Sequence, residues 1–229
     1  MARLTWFLAL ALLLAGCETP GPGGGADGSA RGFFAGIAGN PPLPRASLVG
    51  GAIVASGPPG YCVDPLSIKT GPGHGFAVIA SCQILSRGQS GFTVDPAMIT
   101  LSVAAASDGQ SLPSAQALAQ LLNAPLLGQK GDATVTLAHL GSGGDVTLDH
   151  GDPRHWRGAF VHNGFLVGLG LYAPDGSPLA GPAGADFLNE TVRRIRAGSV
   201  PQPQATAAQP AAPRAQSGLG GFWSRLTAP

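Results

Sequence analysis

Charge is scarce in this chain: Asp, Glu, Lys and Arg make up only 11% of its 229 residues, and the signs nearly cancel at 13 basic against 12 acidic. No basic stripe is available to neutralise phosphates, which removes nucleic acid from the expected partners. Aromatic residues are few, at 6%. The apolar stretch from Leu4 to Leu14 is well short of the roughly 20 residues that a permanent transmembrane helix requires. The signatures of common catalytic sites are also missing. There is no Gly-x-Ser-x-Gly elbow, no His-Glu-x-x-His and no Gly-x-x-x-x-Gly-Lys-Ser/Thr, and the glycine-rich run Gly141–Gly144 has no lysine after it. These absences leave an enzyme without positive support, although they do not exclude one, and they call for no cofactor.

What the chain has in abundance is backbone punctuation, 36 Gly and 21 Pro, which describes one modest, turn-rich domain with flexible flanks. Gly21 to Pro44 reads as a coil whose reach is about 25–30 Å. It is interrupted by Phe33, Phe34 and Ile37. Residues 199–217, rich in Pro, Ala and Gln and free of periodicity, read as a second linker. The folded part is expected over residues 46–198.

Within that part, alternation predicts strands at Val49–Ala55, Phe76–Cys82, Ile99–Ala105, Thr134–Leu140 and Val146–Leu148. Asp64-Pro65 suits a helix start. A helix over Ser111–Asn123 is expected to bury Ala115, Leu118, Leu121 and Leu122, and one over Ala183–Ala197 to bury Phe187, Leu188, Val192 and Ile195. Arg193, Arg194 and Arg196 suit the negative end of the latter's dipole. The strongest local signal is Asn163-Gly164, a type I′ turn pair within Trp156–Tyr172. That turn sets His162 opposite Phe165, Phe160 opposite Val167 and Trp156 opposite Leu171, with Leu169 on the same face. The other face then carries Ala159, Gly168 and Gly170, a bare strip open to a helix, a ligand, another chain or nothing at all. The order of elements gives a single-domain α+β fold, mainly antiparallel, with two or three helices.

The first residues look like an address. Arg3, the apolar stretch and Leu14-Ala15-Gly16-Cys17 resemble the lipobox of bacterial lipoproteins. The resemblance implies that residues 1–16 are a signal peptide removed before Cys17, that the Cys17 thiol carries a diacylglycerol and that the new amino terminus is acylated by a fatty acid such as palmitate. Several acyl chains make a stable anchor. Residues 17–45 would then be a lipidated tether. Glu18 in place of Asp implies the outer membrane, facing the periplasm, with the inner membrane as the alternative. In such a compartment thiols can be oxidised, and Cys62 and Cys82 are the remaining even pair, expected as a disulfide with two buried free thiols as the alternative. They lack the Cys-x-x-Cys spacing of a redox pair.

Tyr61-x-x-Asp64-Pro65 after the first strand, and a Trp156-led hairpin before the closing helix, make the order similar to the small α+β sandwich of the PsbP- and Mog1-like group. That group consists mainly of non-enzymatic accessory or binding proteins. The expected function is therefore a membrane-anchored periplasmic lipoprotein acting as a binding or assembly accessory of the cell envelope. The alternative is a periplasmic hydrolase or metal-binding protein using His150, Asp152 and His155, the imidazoles and carboxylate of a polar stretch that also reads as a turn. Beyond the second linker, residues 218–229 carry Phe222, Trp223 and Leu226. These suit docking on an envelope protein or the membrane, or folding back on the domain.

A clickable fatty acid should label the wild-type protein in cells and leave Cys17→Ser unlabelled; equal labelling of both would remove the anchor from Cys17.

Overall fold

A computed structural model of the chain describes residues 40–107 and 109–199. Cys17, the expected signal peptide over residues 1–16 and the tail residues Phe222, Trp223 and Leu226 lie outside the described residues. The described part is an α+β domain with ten strands and four α-helices, two of them single turns.

The chain enters through a small hairpin, β1 (Ala46–Leu48) and β2 (Ile53–Ala55). The single strand expected over Val49–Ala55 is thus broken, because Val49, Gly50 and Gly51 all take positive φ and turn the chain back. The main sheet follows: β3 (Tyr61–Val63), β4 (Lys69–Thr70), β5 (His74–Ser81), β6 (Met98–Ala105), β7 (Leu126–Asp132), β8 (Val135–Leu140), β9 (His155–His162) and β10 (Phe165–Tyr172). Its order is β3-β5-β6-β10-β9-β8-β7, with β4 also on β5, and every pairing is antiparallel. The domain begins earlier than residue 46. Leu43 already exchanges backbone hydrogen bonds with Val63, at 3.0 and 2.7 Å, using the free edge of β3.

The centre of the sheet is the expected hairpin in its expected register: His162 faces Phe165, Phe160 faces Val167 and Trp156 faces Leu171. Asn163 and Gly164 have φ of 49° and 79°, the two positive values of a type I′ turn. One face of the sheet packs Ala77, Ile79, Ile99, Leu101, Val103, Leu137, Trp156, Phe160, Val167, Leu169 and Leu171 against the β1–β2 hairpin and the closing helix α4 (Ala183–Gly198). That helix buries Leu188, Val192 and Ile195 as its periodicity requires, with Phe187 half-buried. Trp156 and His139 stack at 4.5 Å on this face and reach out to the turn before α4, at Gly181 O and Ala180 O, both 2.8 Å away.

The second face is covered only in part. At one end of it α1 (Cys82–Leu85) sits by Ala80, with Ser81 as its cap. Cys62 is bonded to Cys82 and tethers edge strand β3 to the start of α1. α2 (Ala115–Leu121) lies over Ala138 and Leu140 with Ala115 and Ala119. Its expected buried side is corrected: Leu121 is 81% exposed, Leu122 39% exposed and Leu118 half-buried, because so close an approach to the sheet selects the alanines. The expected strand at Val146–Leu148 is instead a helical turn, α3 (Gly144–Thr147). The turn leaves Val146 in solvent and drops Leu148 onto Val78, Met98 and Tyr172. β7 was not legible in the pattern Leu-Leu-Gly-Gln-Lys-Gly-Asp. It is held to β8 by Asp132, whose Oδ1 accepts from Thr134 N and Val135 N, and its register shifts between Leu126 and Gly128.

Gly164→Val tests the turn. A Cβ there meets nothing within 4 Å, so the cost is conformational alone, and the domain should lose at least about 1 kcal/mol by denaturant titration. Unchanged stability would rule out a type I′ turn.

Candidate functional site on the open sheet face

The titratable side chains of the polar stretch from Asp149 to His155 are held in separate settings. Asp152, 2% exposed, has both oxygens engaged: Oδ1 accepts from Arg154 N and Nε at 2.9 Å, and Oδ2 from Arg154 Nη2 at 2.7 Å and Gly176 N at 3.3 Å. The Arg154 hydrogen bonds hold its carboxyl down to about 2. It is a structural clamp between two loops. His150 is exposed, at φ 55°, with its imidazole 3.7 Å from Asp149. His155 is buried against Tyr172. Among the described residues no group of three or more His, Cys, Asp or Glu is gathered as a metal ion requires.

His155 nevertheless leads to the most distinctive surface of the domain. It starts β9, and alternation puts His155, Arg157, Ala159 and Val161 on the second sheet face. The register then assembles rows across the strands. One row runs Val78, Thr100, Gly170, Arg157, Ala138, and the next runs Phe76, Ser102, Gly168, Ala159, Thr136. Beyond them Ala104, Leu166 and Val161 follow. α2 covers this face on one side and Leu148 at one end, but nothing described covers Ser102 and Ala104, which are exposed, or Thr100, Thr136, Val161 and Leu166, which are half-buried. The floor is shallow because Gly168 and Gly170 bring no side chains to it.

At the covered end stands an aromatic and cationic ladder. The His155 and Tyr172 rings stack at 5.4 Å, and the Arg157 guanidinium carbon lies 5.2 Å from the centre of the same Tyr172 ring. Burial, with the Arg157 charge beside it, pushes the His155 imidazole down to about 4. At neutral pH the His155 ring therefore stacks on Tyr172 uncharged. Sequence reasoning found the bare strip of Ala159, Gly168 and Gly170 but missed Arg157 and Tyr172, because alternation reveals which residues share a face and not which face stays uncovered.

A second concavity, of about 490 Å³, lies between α4 and the β7–β8 turn and is lined by Lys130, Asp132, Asn189, Arg193 and Arg196. Its cations have protein partners. Arg193 pairs with Glu190, Arg196 Nη2 donates to Thr134 O at 2.9 Å, and Lys130 lies 3.9 Å from Asp186.

The two shifted groups of the loop predict separate acid transitions. The unfolded chain takes a proton on His155 near 6.5 that the folded domain refuses until about 4, so stability is full above pH 6.5 and falls as pH drops through that window, by about 1–2 kcal/mol at pH 4.5. Asp152 has the opposite chemistry. Its contribution persists down to about 3.8 and fades only as pH approaches 2. Melting curves of His155→Phe against pH should flatten between 6.5 and 4, leaving the smaller slope due to His162, whose imidazole burial also pushes down. A slope unchanged from wild type would mean that His155 titrates normally.

Compared with known proteins, the chain matches no family model, no curated protein and no solved structure.

Proposed function

We propose that the chain is a lipid-anchored protein of the outer membrane, facing the periplasm, whose α+β domain is a non-enzymatic binding or assembly accessory of the cell envelope. The lipobox at Cys17 supports the anchor, and the Cys62–Cys82 bond suits an oxidising compartment. The observation that carries the binding role is the uncovered sheet face, where small residues, half-buried aliphatic ones and one arginine adjoin. An antiparallel sheet can leave one face to solvent with polar side chains on it, but this face carries small and aliphatic ones, so it offers a shallow surface with apolar area and a single polar anchor. The kinship suggested by Tyr61, Asp64, Pro65 and Trp156, with the PsbP- and Mog1-like group, points toward the same accessory class. The tail residues Phe222, Trp223 and Leu226 supply a further contact, to an envelope protein or to the membrane surface.

The test uses the full lipidated chain in cells, with a photocrosslinking residue placed singly at Ser102, on the open face, and at Ser47, exposed on the β1–β2 hairpin. The expected outcome is a discrete added mass from position 102 and none from 47. Equal adducts from both positions, or none from either, would remove the binding role from this face.

A further inference from the structure

We propose that Arg157 anchors an oxyanion site on the open face, taking a carboxylate or phosphate whose apolar body lies along Ser102 and Gly168 toward Leu166 and Val161. This inference deepens the reading of the face as a binding surface and rests on it.

A guanidinium presents five N–H donors and no acceptor, so it is satisfied only by oxygens or water. In this domain the other arginines near the sheet and α4 have such oxygens: Arg154 has Asp152, Arg193 and Arg194 have Glu190, and Arg196 has Thr134 O. Among the described residues Arg157 has neither a carboxylate within ion-pair distance nor any hydrogen bond from its side chain. Its Nε is also sealed from solvent without a partner. Burying a donor unpaired is unfavourable, and native structures keep few such groups. Nη1 and Nη2 are not sealed in this way, and they are the donors that an oxyanion can reach and take together in a charge-assisted, two-pronged pair.

The guanidinium is also held in place in advance. Tyr172 supports it from one side at 5.2 Å. On the sheet beneath, Gly170 makes room for it: a Cβ on Gly170 would lie 2.7 Å from Arg157 Nη1, 2.8 Å from Thr100 Oγ1 and 3.0 Å from Tyr172 Cε2. The cation and the Thr100 hydroxyl therefore approach the same point on the sheet, and both are donors. Rotamer freedom already lost in the free protein is not lost again on binding, which favours affinity. The same packing excludes alternatives for the rest of the ligand. The adjoining row, Ser102, Gly168 and Ala159, offers little depth and no charge, and Leu166 and Val161 beyond it are aliphatic. The matching molecule is anionic at one end and apolar at the other.

The experiment uses the full chain carrying Cys17→Ser, which lacks the lipid and so needs no detergent. Hexanoate, hexyl phosphate and hexanamide are titrated while the Arg157 Nε–Hε resonance is followed by NMR, and the two anions separate a carboxylate source from a phosphate source. One or both anions should move that resonance saturably, with a midpoint at least tenfold lower than for hexanamide. Saturable anion binding should be lost in Arg157→Gln. It should weaken about tenfold in Gly170→Ala, where the guanidinium remains but is pushed off its seat. Equal response to hexanamide, no response to either anion, or unaltered binding in Arg157→Gln would overturn the proposal. The hexanamide comparison in the unmutated face decides the matter even where a variant folds poorly. A Ser102 adduct in cells that persists with Arg157→Gln, together with no anion response, keeps the face as the binding surface and removes the oxyanion. Anion binding without any Ser102 adduct does the reverse.

Discussion

The constraint on which this domain depends is the register of the β9–β10 hairpin. With Asn163 and Gly164 both at positive φ, one pairing is fixed, and a slip by one residue would send every side chain of one strand to the wrong face relative to its partner. The correct register places Trp156, Phe160, Val167, Leu169 and Leu171 in the main core beneath α4, and it leaves Arg157, Ala159, Gly168 and Gly170 on the other side. The hairpin also occupies the middle of the sheet, so β6 aligns on β10 and β8 aligns on β9, and the rows of the second face inherit the same choice. Core and candidate site are two readings of a single turn.

That dependence explains what the sequence made legible. Where a local pattern and its chemistry agreed, the expectation held: Asn163-Gly164 and the spacing of Leu188, Val192 and Ile195 each specify one arrangement without knowledge of the rest. The failures arise where tertiary contact decides. Leu121 and Leu122 look like the buried side of α2, yet only Ala115 and Ala119 are small enough for the approach to Ala138. Val146 and Leu148 alternate like a strand, but Leu148 is wanted above Tyr172 and Met98, and a helical turn delivers it there. β7 has weak strand composition and exists because β8 offers it backbone partners through the Asp132 turn.

The candidate site was legible in outline only. The strip of Ala159, Gly168 and Gly170 marks a bare face, while the cluster of Asp and His residues nearby attracts attention by its chemistry alone. The structure reverses their weight: Asp152 is bound by Arg154 to close a loop, and His155 is a neutral stacking surface for Tyr172. A single arginine between small residues carries no signature in one sequence, since its meaning lies in partners it lacks rather than in partners it has.

The two borders of the sheet also differ in a way that bears on solubility. At β3 the backbone is shielded, because Leu43 pairs with Val63 and Cys62 is pinned to Cys82. At β7, which among the described residues pairs only with β8, the strand is irregular: its register shifts between Leu126 and Gly128, Leu127 is 53% exposed, and Lys130 places an ammonium on the rim. A kinked, charged border is a poor template for a second sheet. At high local concentration an even, uncharged border would invite pairing between copies, and the register shift in β7 works against that pairing.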